Sequence, residues 1–130
     1  MKLRIQGNSI RLRITQSEMA SLAAGAKLED SAQFGPAPSE SLTYALEISS
    51  QCSYVRASYS KGVIQVTLPA NLAEAWIRTN QVGIEHTQPI GNAVFLKIAV
   101  EKDFRCFHAG PGQNEGDSFP NPNDPSGPGK

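Results

Sequence analysis

The sequence predicts an α+β domain made of two ββαββ units, and three features predict it. Short runs rich in β-branched residues alternate apolar and polar side chains, the signature of half-buried strands. Two other stretches carry apolar residues at helical spacing behind N-terminal helix signals. The second half of the chain then repeats the element order of the first. Eight strands follow from this reading. They are expected to form an antiparallel sheet or to close into a barrel-like sheet, with two helices against the apolar side. The domain is expected to span residues 1–103, in halves of about 2–50 and 53–103, with 104–130 as a tail.

Taken in order, residues 2–6 and 9–14 alternate. Leu3, Ile5, Ile10, Leu12 and Ile14 share one face, and Lys2, Arg4, Gln6, Arg11 and Arg13 share the other. Gly7-Asn8 between them makes a tight hairpin. Thr15 and Glu18 then form a reciprocal capping box, Met19, Leu22 and Ala23 give the helical stripe, and Gly25 stops it. A short strand within 26–34 and a loop through Gly35 and Pro38 lead to a strand over 41–49, with Leu42, Tyr44, Leu46 and Ile48 on one face.

Strands over 53–59 and 63–68 flank a Lys61-Gly62 turn. Pro69 suits the first helical position, where the N–H it lacks has no partner anyway. Leu72, Ala73, Trp76 and Ile77 are the apolar stripe of that helix. A strand over 81–87, a turn over 89–92 and a strand over 93–102 complete the half. Ile10, Leu12 and Ile14 align with Ile64, Val66 and Leu68, which puts Met19 on Ala73 and Leu22 on Trp76. With two residues deleted, Leu42, Tyr44, Leu46 and Ile48 fall on Val94, Leu96, Ile98 and Val100. The expected core takes in Leu3, Ile5, Ile10, Leu12, Ile14, Met19, Leu22, Tyr44, Leu46, Ile64, Val66, Leu72, Trp76, Val82, Ile84, Leu96, Ile98 and Val100.

From Gly110 to Gly129 glycine and proline interleave, a spacing that neither strand nor helix tolerates, so 121–130 is expected to be disordered. Phe104, Phe107 and Phe119 are expected to fold the start of the tail back onto the domain. Over 130 residues, twelve Lys+Arg balance twelve Asp+Glu. That neutrality speaks against a dedicated nucleic-acid binder. No apolar run approaches the ~20 residues a bilayer needs, so no membrane span is expected. Nor does the start hold the apolar stretch of about 7–15 residues of a secretory signal, so the expected location is cytoplasmic, with Cys52 and Cys106 as reduced thiols.

The opening hairpin from Arg4 to Arg13 (RIQGNSIRLR) and the helix start Gln16-Ser17-Glu18 resemble those of a set of small uncharacterised bacterial proteins. Gln81-Val82-Gly83-Ile84-Glu85, Glu101-Lys102-Asp103-Phe104 and Phe119-Pro120-Asn121-Pro122 extend the resemblance to about Pro122. It implies a free-standing bacterial protein. It transfers no catalytic residue, because that set has no assigned activity.

Several constellations bear on chemistry. Lys2, Arg4, Arg11 and Arg13 precede any acidic residue and share the polar face, with Arg56 in the equivalent hairpin. Guanidinium forks in that number suit phosphate or carboxylate. Cross-strand pairing to Glu47, Glu85 and Glu101 is the plainer use of the same charges. A closed barrel with these charges inside would be similar to the triphosphate tunnel enzymes, but their Glu-x-Glu-x-Lys motif is missing and residues 2–6 contain no acid. Cys106 and His108 are the candidate metal ligands, with Cys52 to complete a set, although paired ligand knuckles are absent. Cys106 with His86 or His108 offers a Cys–His pair, without a supporting motif.

The leading expectation is a non-enzymatic binding or accessory module that needs no cofactor. It would take a protein or a small anionic ligand on the polar sheet face or through the tail. The alternative is an enzyme or sensor for a phosphorylated anion at Arg4, Arg11, Arg13 and Arg56, with or without a divalent metal. An edge strand also offers a route to a homodimer.

Overall fold

A computed structural model describes residues 1–104 and 117–120. Four hairpins carry its strands. β1 (Lys2–Ile5) and β2 (Ser9–Ile14) are joined where Gly7 takes a φ of +55° and Gln6 N donates to Ser9 O at 3.0 Å. β3 (Leu28–Gln33) pairs with β4 (Ser41–Ser49), and β5 (Arg56–Ser60) with β6 (Val63–Pro69) across Lys61 and Gly62, both at positive φ. β7 (Gly83–Gly91) pairs with β8 (Val94–Lys102). The expected turn over 89–92 lies two residues later. β7 continues through Pro89 with an irregularity before Gly91, and Asn92 and Ala93 make the turn at φ +53° and +59°. Proline is admissible there because β7 is an edge strand.

α1 (Gln16–Ala23) follows β2 behind the expected capping box, with Thr15 and Glu18 satisfying each other's backbone N–H. Glu18 also pairs with the amino group of Met1. α2 (Ala70–Arg78) follows β6. Pro69 stands before its first turn as the cap residue, still paired with Ser49, rather than inside the helix. Its buried stripe is centred on Ala73 and Trp76, and the Trp76 Nε1 donates to Val82 O at 3.1 Å.

The strands form two four-stranded mixed sheets, neither one antiparallel sheet nor a closed barrel. Sheet A has the order β1-β2-β8-β7 and sheet B the order β3-β4-β6-β5. Each half of the chain sends its first hairpin into one sheet and, after its helix, its second hairpin into the other. The strands that meet at each sheet centre, β2 with β8 and β4 with β6, therefore run parallel. Apolar alternation marks which face a side chain takes, but not the direction of its neighbour. Closure is absent because the sheet edges at β5 and β7 meet through side chains, without a backbone ladder.

Two of the three strand pairings equate the halves at one shift, while the third is out by two residues, with Leu28 opposite Leu46 but Ile84 opposite Val100. Lys2 opposite Arg13 matches Arg56 opposite Thr67, a shift of 54 residues that also carries the parallel pair Ser9–Lys97 onto Val63–Thr43. Tyr44 and Leu46 thus correspond to Ile98 and Val100, two residues away from the apolar-phase alignment. A period of two cannot detect a slip of two.

The inward faces of both sheets and the helices share one core around Leu12, Ile14, Leu46, Leu68, Trp76 and Val100. The helices close the end of the sandwich where β2 and β6 finish. At the hairpin-turn end the sheets leave an apolar cleft of about 460 Å³ lined by Ile5, Ile10, Leu42, Tyr59, Ile64 and Leu96 among others. Ile5 is therefore 55% exposed despite its inward phase. Leu72, at the margin of the α2 stripe, and Val82, just before β7, are also exposed, contrary to expectation.

Phe119 returns to the core. Its N–H donates to Asp103 O at 2.7 Å, its ring meets Phe104 edge-on at 6.0 Å, and the Lys102 ammonium lies 5.6 Å from its centre. Asp117 receives the Ser17 N–H at 3.1 Å and the Ser17 hydroxyl at the start of α1. The Ser17 hydroxyl, then the Thr15 hydroxyl and the Ser17 N–H, hold its carboxyl below the usual aspartate range. Phe107 and 121–130 lie outside the described residues.

Candidate functional site

The outward face of sheet A gathers the charges. Alternation places Lys2 and Arg4 of β1, Arg11 and Arg13 of β2, and Lys97 of β8 on it, against Glu101 of β8 and Glu85 of β7. These strands thus carry five cations and two carboxylates on one face of a chain with no net charge. Neighbouring strands bring like charges together, with Arg4 directly opposite Arg11 and Lys2 opposite Arg13. Such pairs are destabilising unless an anion lies between them.

The available anions do not saturate the guanidinium groups. Arg11 and Arg13 both reach the same oxygen, Glu101 Oε1, through Nε at 3.6 and 3.4 Å. Those distances make ion pairs rather than well-formed hydrogen bonds. One carboxylate stands between two forks. Lys2 pairs with Asp103, beyond the end of β8, at 3.0 Å, and Arg4 donates to Gln6 Oε1 at 3.2 Å. Both Arg11 and Arg13 keep more than a third of their side-chain surface exposed. An incoming carboxylate or phosphate would meet donors already held by the sheet.

Arg56 does not join this group. It stands on β5 in sheet B, opposite Thr67, where it occupies the position that matches Lys2. There it lines a separate hollow of about 350 Å³ with Ser49, Gln51, Cys52, Ser58, Gln65 and Thr67 among others. No carboxylate lies within 4 Å of it among the described residues. Of the three acids expected as cross-strand partners, Glu101 makes ion pairs to the cluster, while Glu85 and Glu47 face Ala99 and Thr67.

The candidate metal ligands Cys106 and His108 lie outside the described residues. Among those described, no group of three or more His, Cys, Asp or Glu side chains is placed to hold a metal ion. Cys52 is a half-buried free thiol whose Sγ donates to Tyr54 O, and His86 stacks on Tyr54 at 6.0 Å.

A family model matches residues 1–123, nearly the whole chain, and includes every residue of the cationic face. The protein belongs to this family of unknown function, DUF7009. No curated protein and no solved structure matches the chain. The family assignment thus leaves the chemistry of the site to its geometry. No helix among the described residues is long and apolar enough to cross a membrane.

Sequence reasoning missed two features. Lys97 completes the cationic face, and its place beside Ser9 and Thr87 depends on the β2–β8 pairing. Gln88 bridges the two sheets. The signal for it is a polar run, His86 then Gln88, on the inward phase of β7.

Proposed function

We propose that this protein is a non-catalytic binding module whose sheet A face takes an acidic surface or segment of another protein. The observation that carries this reading is the charge segregation: five cations on one outward sheet face that stays exposed among the described residues, with Arg11 and Arg13 sharing one carboxylate. Prearranged forks on a rigid sheet bind carboxylates with little ordering cost. Cations spread along three neighbouring strands favour an extended acidic partner over an enclosed small substrate. The reading needs no cofactor and fits a bacterial cytoplasmic protein. The matched registers of the halves further support an origin by duplication of a ββαββ unit, with the cationic face elaborated in one sheet.

The test is a thermal-shift titration with oligo-glutamate and, in parallel, tripolyphosphate. A ligand confined to the folded state stabilises it by about 2.7 kcal/mol at a hundred times Kd. Oligo-glutamate should stabilise the wild type saturably, less so in an Arg11→Ala/Arg13→Ala double variant and unchanged in Arg56→Ala. Equal responses in all three proteins would reject the face as the site.

A second reading rests on Arg56, which lines a hydroxyl- and amide-rich hollow without a carboxylate partner among the described residues. That arrangement suits a small phosphorylated anion, for a sensor or an enzyme. Tripolyphosphate stabilisation lost in Arg56→Ala but kept in the double variant would favour it.

A further inference from the structure

The two seams where the edges of the sheets face each other are built differently. At the seam between β7 and β5, the side chain of Gln88 spans the gap. Its Oε1 accepts the Ala57 N–H at 2.9 Å and its Nε2 donates to Ala57 O at 2.9 Å. One amide thereby satisfies both outward backbone groups of Ala57, while those of Tyr59, the other outward residue of β5, have no partner among the described residues. The Tyr54–His86 stack closes the same seam.

The other seam lies between β1 and β3. By register Leu3 holds the place of Ala57, and Ala32, opposite Leu42, holds that of Gln88, opposite Leu96. Alanine has no amide to offer. The Gln6 N–Ser9 O bond fixes the alternation along β1, so Lys2, Arg4 and Gln6 bond to β2 while Leu3 and Ile5 turn their N–H and C=O outward. Among the described residues no side chain or loop backbone bonds to those four groups. The seam is also more open. Asp30 and Ala32 are exposed, whereas their counterparts His86 and Gln88 are half-buried.

We infer that β1 is a docking edge that accepts an extended peptide of alternating acidic and apolar residues as a fifth strand of sheet A. The outward N–H and C=O groups of Leu3 and Ile5 supply the ladder. A strand laid beside β1 sets every second side chain next to Lys2 and Arg4, with Arg11 and Arg13 behind them, and opposite charge is favoured there. The intervening side chains turn inward beside Leu3 and the exposed Ile5. Asp30 on the facing strand disfavours further acids at those positions. A second copy pairing through its own β1 would set Lys2 and Arg4 against Lys2 and Arg4, which repel. This proposal rests on the anionic-partner reading of the same face and names the form of the partner.

The probe is a short labelled peptide alternating Glu and Val. Its controls are a block isomer of the same composition and a version N-methylated on alternate amides. Wild-type protein should bind the alternating peptide at least about tenfold more tightly than either control, a difference of ~1.4 kcal/mol. Hydrogen exchange at the Leu3 and Ile5 amides should slow on binding. Ala32→Gln, which supplies the missing clip, should weaken the alternating peptide and leave the block isomer unchanged. If the three peptides bind equally to the wild type and Arg11→Ala/Arg13→Ala weakens them all, strand addition is overturned while the cationic-face reading stands. If none binds, both fall. Protection of Leu3 and Ile5 that appears with protein concentration and no peptide would overturn the proposal in favour of self-pairing.

Discussion

The two halves of the chain share positions but not surfaces. Across the 54-residue shift, Leu12 matches Val66, Ile14 matches Leu68, and Leu22 matches Trp76, all inside the common core. On the outward faces the same shift sets Arg4 against Ser58, Arg11 against Gln65 and Arg13 against Thr67. Sheet A is cationic there, whereas sheet B presents hydroxyls and amides with Arg56, Glu47 and Glu29 on the same face. Packing tolerates one apolar side chain for another of suitable volume, so the core keeps its character in both halves. Outward residues carry little stability and are free to diverge in chemistry. The difference between the faces is therefore where function is expected, and the likeness between the cores is where stability is expected.

The largest effects should come from the shared core. Trp76→Ala should lose about 3–5 kcal/mol and its counterpart Leu22→Ala about 2–5 kcal/mol, read from urea midpoints. A near-zero value for either would break the equivalence of the two helix positions. Next comes the clipped seam. Gln88→Ala leaves both outward groups of Ala57 without a protein partner and should destabilise by about 1–3 kcal/mol. Ala32→Gln, at the position that matches Gln88 by register, should move stability the other way, and an unchanged or lower urea midpoint would show that no clip forms.

The cationic face should matter less for stability. Arg11→Ala/Arg13→Ala should shift the unfolding midpoint by less than ~1 kcal/mol while it removes anion binding, because exposed ion pairs contribute little. The matched pair Gln65→Ala/Thr67→Ala should leave anion binding intact. The smallest effect belongs to the docked Phe119 segment. The Asp117 carboxyl is held below its ordinary value, so its contribution is present above that value and fades as pH falls through the lowered one. Phe119 ring signals in NMR should shift toward those of an undocked ring in acid, and Asp117→Asn should remove that pH dependence.

Much of this was legible in the residues because it is local. Thr15 and Glu18 announce the start of α1, and alternation through 2–14 and 94–102 places Arg4, Arg11, Arg13 and Glu101 on one side. What the residues hid is relational. Nothing in the alternation of β2 or β8 says that they run parallel or that one sheet draws on both ends of the chain. Ile5 has the phase of a core residue and lies at an open mouth because of where the sandwich ends. Arg56 looks like a fifth member of the cationic hairpin cluster and stands in the other sheet, because each half places its first hairpin in a different sheet. Gln88 reads as a polar exception on an inward face until the neighbouring edge is in place.

The most direct test of the central claim is an amide-shift map of the protein with oligo-glutamate at moderate salt. Saturable changes confined to the sheet A face, at Arg4, Arg11, Arg13, Lys97 and Glu101, with Ser58, Gln65 and Thr67 unmoved, are the predicted result. Changes centred on Arg56 and its sheet B neighbours, or no saturable change on either face, would contradict it.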